Sequence, residues 1–116
     1  MSTTADIGIE RRGEWIVARL GGELDMTNCS YVRDELMRSI PGSADGLVVD
    51  LSTTVYLDSA AIELLFELAR RLGRHRQGLR IAMPGDSPLR RVIELTDVRA
   101  VAAVHPTVDA AVASGQ

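Results

Sequence analysis

Leu47-Val48-Val49-Asp50-Leu51 is apolar at four of its five positions, so it lacks the period-two alternation of a strand with one face in water. A strand of this kind is covered on both faces, which is the condition of strands in parallel sheets. Parallel neighbours need long crossover connections, usually helical and right-handed. The chain around this run must therefore alternate strands with helices.

Upstream, residues 1–6 are small and polar and read as a disordered lead-in. Ile7 to Arg11 and Trp15 to Gly21 are β-rich runs split by Arg12-Gly13-Glu14, a hairpin with Gly13 in its turn. Ile16, Ala18 and Leu20 form the expected core face of the second run, with Trp15, Val17 and Arg19 opposite. Gly21-Gly22-Glu23-Leu24-Asp25 is expected to break the strand. Thr27 or Asn28 then caps a helix with Cys29, Val32, Leu36 and Ile40 on one face, ended by Pro41-Gly42.

Downstream, a connection through Val55-Tyr56-Leu57 leads to a longer helix from near Ser59. Its pattern buries Ile62, Leu65, Phe66, Ala69 and Leu72 and exposes Glu63, Glu67, Arg70, Arg71 and Arg74, with Gly73 or Gly78 closing it. Leu79 to Met83 is a strand, and Ser87-Pro88 opens a short helix carrying Leu89, Val92 and Ile93. Val101 to Val104 is the last strand, and Thr107 caps a closing helix. The order β-β-α-β-α-β-α-β-α predicts one α/β domain over residues 7–113 and a frayed tail at 114–116. Its sheet is mixed, an N-terminal hairpin followed by β-α units, with about four helices packed on it.

Composition narrows the chemistry. All 13 basic residues are arginine, which excludes Schiff-base lysines and the lysine of a P-loop. A net charge of −3 disfavours nucleic acid as a partner. The single cysteine, Cys29, forms neither an internal disulfide nor a metal cage, which fits a reducing, cytoplasmic setting. There is no secretory leader pattern and no apolar stretch near the roughly 18 residues a membrane span needs. His75 and His105 have no neighbouring ligands at metal spacing, and no glycine-rich loop matches a nucleotide fingerprint. Neither catalysis, a metal nor a cofactor is expected.

The informative segment is Leu47 to Phe66. Asp50 ends the buried strand, and Asp58-Ser59 lies where a loop becomes a helix. A serine there has two uses. Its hydroxyl can accept from a free backbone N–H as a cap. It can instead accept a phosphoryl group, which the unpaired N–H groups and positive dipole end of the helix favour.

Gly22-Glu23-Leu24-Asp25, Val48-Val49-Asp50-Leu51-Ser52, Leu57-Asp58-Ser59 and the β-α-β-α tail together resemble the STAS domain, specifically the stand-alone bacterial anti-sigma factor antagonists. The resemblance runs from about Ile7 to Val112. It implies a non-enzymatic partner switch, a monomer or weak dimer. The unphosphorylated protein would bind an anti-sigma factor of the GHKL serine-kinase type and so free a sigma factor for transcription. Phosphorylation of Ser59 would weaken that binding, and a PP2C-type phosphatase would restore it. Asp25 and Asp58 match positions flanking the serine, and the expected interface covers Asp25, Asp58, Ser59 and Glu63. The family commonly continues D-S-S-G or D-S-T-G, whereas Ser59 is followed here by Ala60-Ala61. An alternative keeps the fold as a phosphorylation-independent adaptor of a transporter ATPase or another signalling assembly. A receiver domain phosphorylated at Asp50 is disfavoured, because that fold needs an acidic pair after its first strand and a late lysine.

Overall fold

In a computed structural model, which describes residues 5–115, the LVVDL run is the middle strand of a six-stranded sheet. The strands are β1 (Asp6–Arg12), β2 (Trp15–Leu24), β3 (Gly46–Asp50), β4 (Thr54–Leu57), β5 (Gly78–Ala82) and β6 (Ala103–His105). The helices are α1 (Cys29–Arg38), α2 (Ser59–Gly73), α3 (Arg90–Glu94) and α4 (Val108–Ala113), with a 3₁₀ turn at Asp97–Ala100. The main path runs β1-β2-β3-β5-β6, and β4 pairs β2 beyond it. Only the β1–β2 pair is antiparallel, with Gly13 at φ +63 in its turn.

Every residue of β3 is buried, and the reason lies on both faces. Leu47, Val49 and Leu51 enter the large core with Val32 and Leu36 of α1, Leu65, Leu68 and Leu72 of α2, and Ile93 of α3. Val48 joins Trp15, Val17, Ala82 and Ala111 in a smaller core beneath α4. Trp15 and Val17 are thus core residues of a second layer, and Arg80 stacks 4.0 Å over the Trp15 ring.

Several expectations are corrected. Gly21-Gly22 does not break β2, which continues to Leu24 with a register shift between Gly22 and Glu23. β2 leaves β3 after Arg19 and pairs β4 from Gly22 onward, and Gly22, at φ +87, accommodates the bulge within that pair. Val55-Tyr56-Leu57 is therefore part of strand β4 rather than a connection, anchored by the buried Thr54 hydroxyl donating to the Leu20 carbonyl. β1 begins at Asp6, one residue earlier than expected, and Ala5 before it packs against the core; residues 1–4 of the expected lead-in lie outside the described residues along with Gln116.

α1 ends at Arg38, before Pro41, and leaves Ile40 half-buried past its end. On α2 the buried face is Ala61, Leu64, Leu65, Leu68 and Leu72, while Ile62, Phe66 and Ala69 form a half-buried flank. The apolar arc of α2 is wide, and its periodicity alone did not say which edge faces the sheet. Glu67 and Arg71 pair at 2.8 Å as their spacing suggests. Arg76, at φ +59, takes the left-handed position after α2 instead of a glycine. The next residue holds that turn: the Gln77 amide donates to the Pro41 and Ala44 carbonyls at 2.9 Å each. Ser87 accepts from Leu89 N at 3.1 Å, but α3 proper starts only at Arg90. The 3₁₀ turn moves the last strand to Ala103, and Thr107 caps α4 by accepting from Ala110 N at 3.0 Å.

Gly46 is closely enclosed by its neighbours in the sheet. A Cβ there would lie 2.1 Å from the Gly78 carbonyl oxygen and 2.7 Å from the Trp15 ring. Gly46→Ala is expected to lose about 3 kcal/mol or more in urea unfolding. Gly42→Ala, with no atom within 4 Å of the added methyl, should stay within about 0.5 kcal/mol of wild type.

Candidate functional site

The bulged end of β2 and the end of β4 lie side by side, so the loops that follow them meet. Asp58 sits between β4 and α2 in an extended conformation (φ −108, ψ −173), and its backbone N donates to the Leu24 carbonyl at 3.3 Å. Its side chain serves two segments. One carboxylate oxygen accepts from Ala61 N at 3.1 Å and caps α2. The other accepts from Met26 N, also at 3.1 Å, in the loop between β2 and α1.

This corrects the expected cap. Asp58, not Ser59, is the N-cap of α2, and Ser59 is the first helical residue. An aspartate in extended backbone outcompetes the next residue because only the cap position aims a side-chain oxygen back at the first-turn N–H groups. Ser59 is consequently exposed, with no hydrogen-bond partner for its hydroxyl among the described residues.

The neighbouring loop is ordered by polar bonds. An Asp25 carboxylate oxygen accepts from Thr27 N at 2.9 Å and from the Thr27 hydroxyl. These bonds, the hydroxyl first, hold the Asp25 carboxyl below its ordinary value. Asn28 occupies the N-cap position of α1 but turns its side chain back into the loop, accepting from Asp25 N at 3.1 Å and donating to the Glu23 carbonyl at 2.9 Å. The expected side-chain cap of α1 is therefore absent, and the Asp25 carbonyl receives Cys29 N at 3.0 Å instead. The Cys29 thiol is buried, and desolvation together with the charges of Asp58 and Asp25 pushes it up to about 11. It is a core side chain and not a nucleophile.

Glu63 stands one turn beyond Ser59 on the exposed side of α2. Asp58, Ser59 and Glu63 line one wall of an open groove of about 430 Å³ with Leu57 and Ile62, and Val92 and Thr96 form the opposite wall. The structure thus brings three of the four expected interface residues to one surface. Asp25 lies in the adjoining loop, its carboxylate turned to Thr27 rather than to Ser59. The groove went unforeseen because Val92 and Thr96 come from around α3, distant in sequence. Met26, 78% exposed beside Asp58, carried one visible signal, a large apolar residue directly after the G-E-L-D motif. Asp50 is remote in role: it is buried at the end of β3 and accepts from Ser52 N at 2.9 Å. Among the described residues no cluster of His, Cys, Asp or Glu is arranged to hold a metal, and no helix is long and apolar enough to cross a membrane.

A sequence model of the STAS domain matches residues 6–111. The chain belongs to the STAS domain family. An anti-sigma factor antagonist from Mycobacterium paratuberculosis superimposes with a TM-score of 0.81 at 25% identity, covering 94% of this chain and 92% of that one. The Bacillus cell fate determinant SpoIIAA, solved in its phosphorylated form, shares the fold with a TM-score of 0.65 at 22% identity, covering 92% and 96% of the two chains. Sulfate transporter 3.2 of Arabidopsis thaliana is 28% identical over a match that covers 89% of this STAS chain, which spans 18% of the transporter's length. The mixed sheet with four helices is the STAS fold.

Two outcomes follow. Asp58→Ala removes the cap and the Met26 bond and should cost about 2 kcal/mol in urea unfolding, while Ser59→Ala should stay within about 0.5 kcal/mol of wild type. Because the Asp25 carboxyl is lowered, its stabilisation is present above the unfolded value near 3.8 and is lost as pH falls through the folded one. The stability gap between wild type and Asp25→Asn should therefore shrink when urea unfolding is repeated at pH 3 instead of pH 6.

Proposed function

We propose that this chain is an anti-sigma factor antagonist, a partner switch in which Ser59 is the phosphoryl acceptor. The observation that carries the proposal is the division of labour at the start of α2. Asp58 caps the helix, so the Ser59 hydroxyl is exposed and uncommitted. The likeness to the Mycobacterium paratuberculosis antagonist supports the same role.

The antagonist is the substrate of the phosphoryl transfer and the anti-sigma factor, a GHKL-type kinase, its catalyst. The Ser59 oxygen attacks the γ-phosphorus of ATP held by the kinase, and ADP leaves. Both Asp58 oxygens accept backbone N–H groups, which engages this carboxylate in holding the loop and the helix, and the proposal assigns the base that takes the hydroxyl proton to the kinase. The product adds nearly two negative charges at pH 7 at the end of a helix that favours them, so the fold survives. Docking changes instead. To be modified, Ser59 must face the phosphates of a nucleotide, so the surface opposite it in the complex is anionic. A phosphoserine there meets like charge and the partner is released, until a PP2C-type phosphatase hydrolyses the ester. A tenfold loss of affinity requires only about 1.4 kcal/mol.

Ala60-Ala61 does not obstruct this mechanism. The Ala61 side chain is turned to the core, 1% exposed, so it adds packing and no bulk to the docking surface. Ala60 carries no hydroxyl, which leaves Ser59 as the single acceptor of the motif. The likeness to a sulfate transporter favours a second reading, a STAS adaptor of a transport assembly that is never phosphorylated.

Intact mass after incubation with ATP, Mg²⁺ and the anti-sigma kinases of the same genome separates the two. One added phosphate on wild type and none on Ser59→Ala is the expected result. Measurable kinase binding without any modification would contradict the switch and point to a phosphorylation-independent adaptor.

A further inference from the structure

We infer that the groove beside Ser59 seats an apolar side chain of the anti-sigma kinase, flanked by a basic residue opposite Glu63. The inference rests on the partner-switch reading and adds to it the chemistry by which the kinase is held.

The groove walls are Leu57 and Ile62 on one side and Val92 on the other, with Asp58 and Glu63 as the charged groups of its lining. No cation lines it. The two carboxylates differ. Asp58 already accepts two backbone N–H groups, whereas Glu63 is exposed and enters no ion pair among the described residues. Glu67, one turn further along α2, is paired with Arg71 at 2.8 Å and approached by Arg33 at 3.8 Å. Glu63 is therefore the carboxylate left for a partner's cation. Leu95, next in the chain to Thr96, is 74% exposed. An apolar pocket edged by unmatched negative charge fits an apolar anchor beside a positive group.

Such a contact holds the kinase beside Ser59 through side chains that take no part in the transfer. It sets how often Ser59 is presented and leaves the transfer step alone. Val92 and Glu63 are positioning residues in this sense, and their substitution should move KM without moving kcat.

The test is steady-state phosphorylation by whichever anti-sigma kinase modifies wild type in the mass experiment. Val92→Glu places a charge in the groove and should raise KM for the antagonist about tenfold or more, with kcat within about twofold. Val92→Ala, which keeps the helix and removes two methyl groups from the wall, should raise KM by about threefold and guards against misfolding of the charged variant. Glu63→Arg should raise KM most at low salt, with the difference narrowing as salt is added. Ile9→Glu, on the distant edge strand β1, should leave both constants unchanged. An unchanged KM in both Val92 variants, or a fall in kcat instead, overturns the groove as the docking site while Ser59 stays the acceptor. Failure of every kinase to modify wild type overturns the switch itself, and the groove assignment with it.

Discussion

One carboxylate organises the functional end of this molecule. The two oxygens of Asp58 accept backbone N–H groups from segments far apart in sequence, the first turn of α2 and the loop at Met26. A cap satisfies one end of a helix; this cap also fixes where the helix begins relative to the loop that carries Asp25. Because the bonds go to backbone, they hold whatever side chains surround them. They also free the neighbouring serine from any structural duty. A switch of the proposed kind requires a residue that can be modified without unfolding its surroundings, and an exposed Ser59 relieved of the cap meets that requirement.

The sheet makes that arrangement possible. β2 pairs β1 and β3 through its first part and then, from Gly22 onward, pairs β4 across a bulge. The ends of β2 and β4 therefore lie together, and so do the loops that follow them. The rigid core behind, with β3 sealed between α1, α2 and α3 on one face and α4 on the other, resists deformation when charge is added in front. On the proposed mechanism, phosphate on Ser59 would act on docking and leave this core as it is.

Much of this was legible in the residues themselves. The unbroken apolar run of β3 implied a doubly covered strand, and the glycine-centred hairpin and the four helices followed from local pattern. The site at Asp58-Ser59 was visible as a loop-to-helix junction with two hydroxyl and carboxylate candidates. What escaped was set by contacts between distant segments. Val55-Tyr56-Leu57 becomes a strand only because the bulged end of β2 offers it a partner. The same holds for the cap: Asp58 and Ser59 are both good caps by type, and backbone geometry decides between them. Asn28 was drawn from its helix by the carbonyl of Glu23 and the N–H of Asp25. The groove, assembled from α2 and the region of α3, leaves no trace in local sequence.

On the proposed mechanism, phosphate on Ser59 changes the affinity of an intact fold for its partner. Titration calorimetry of the anti-sigma kinase, loaded with nucleotide, into unphosphorylated and fully phosphorylated protein measures that directly, with thermal unfolding of both forms as the check on the fold. The expected result is a Kd at least about tenfold weaker for the phosphorylated form, with its melting transition intact. Equal Kd values for the two forms would contradict the account.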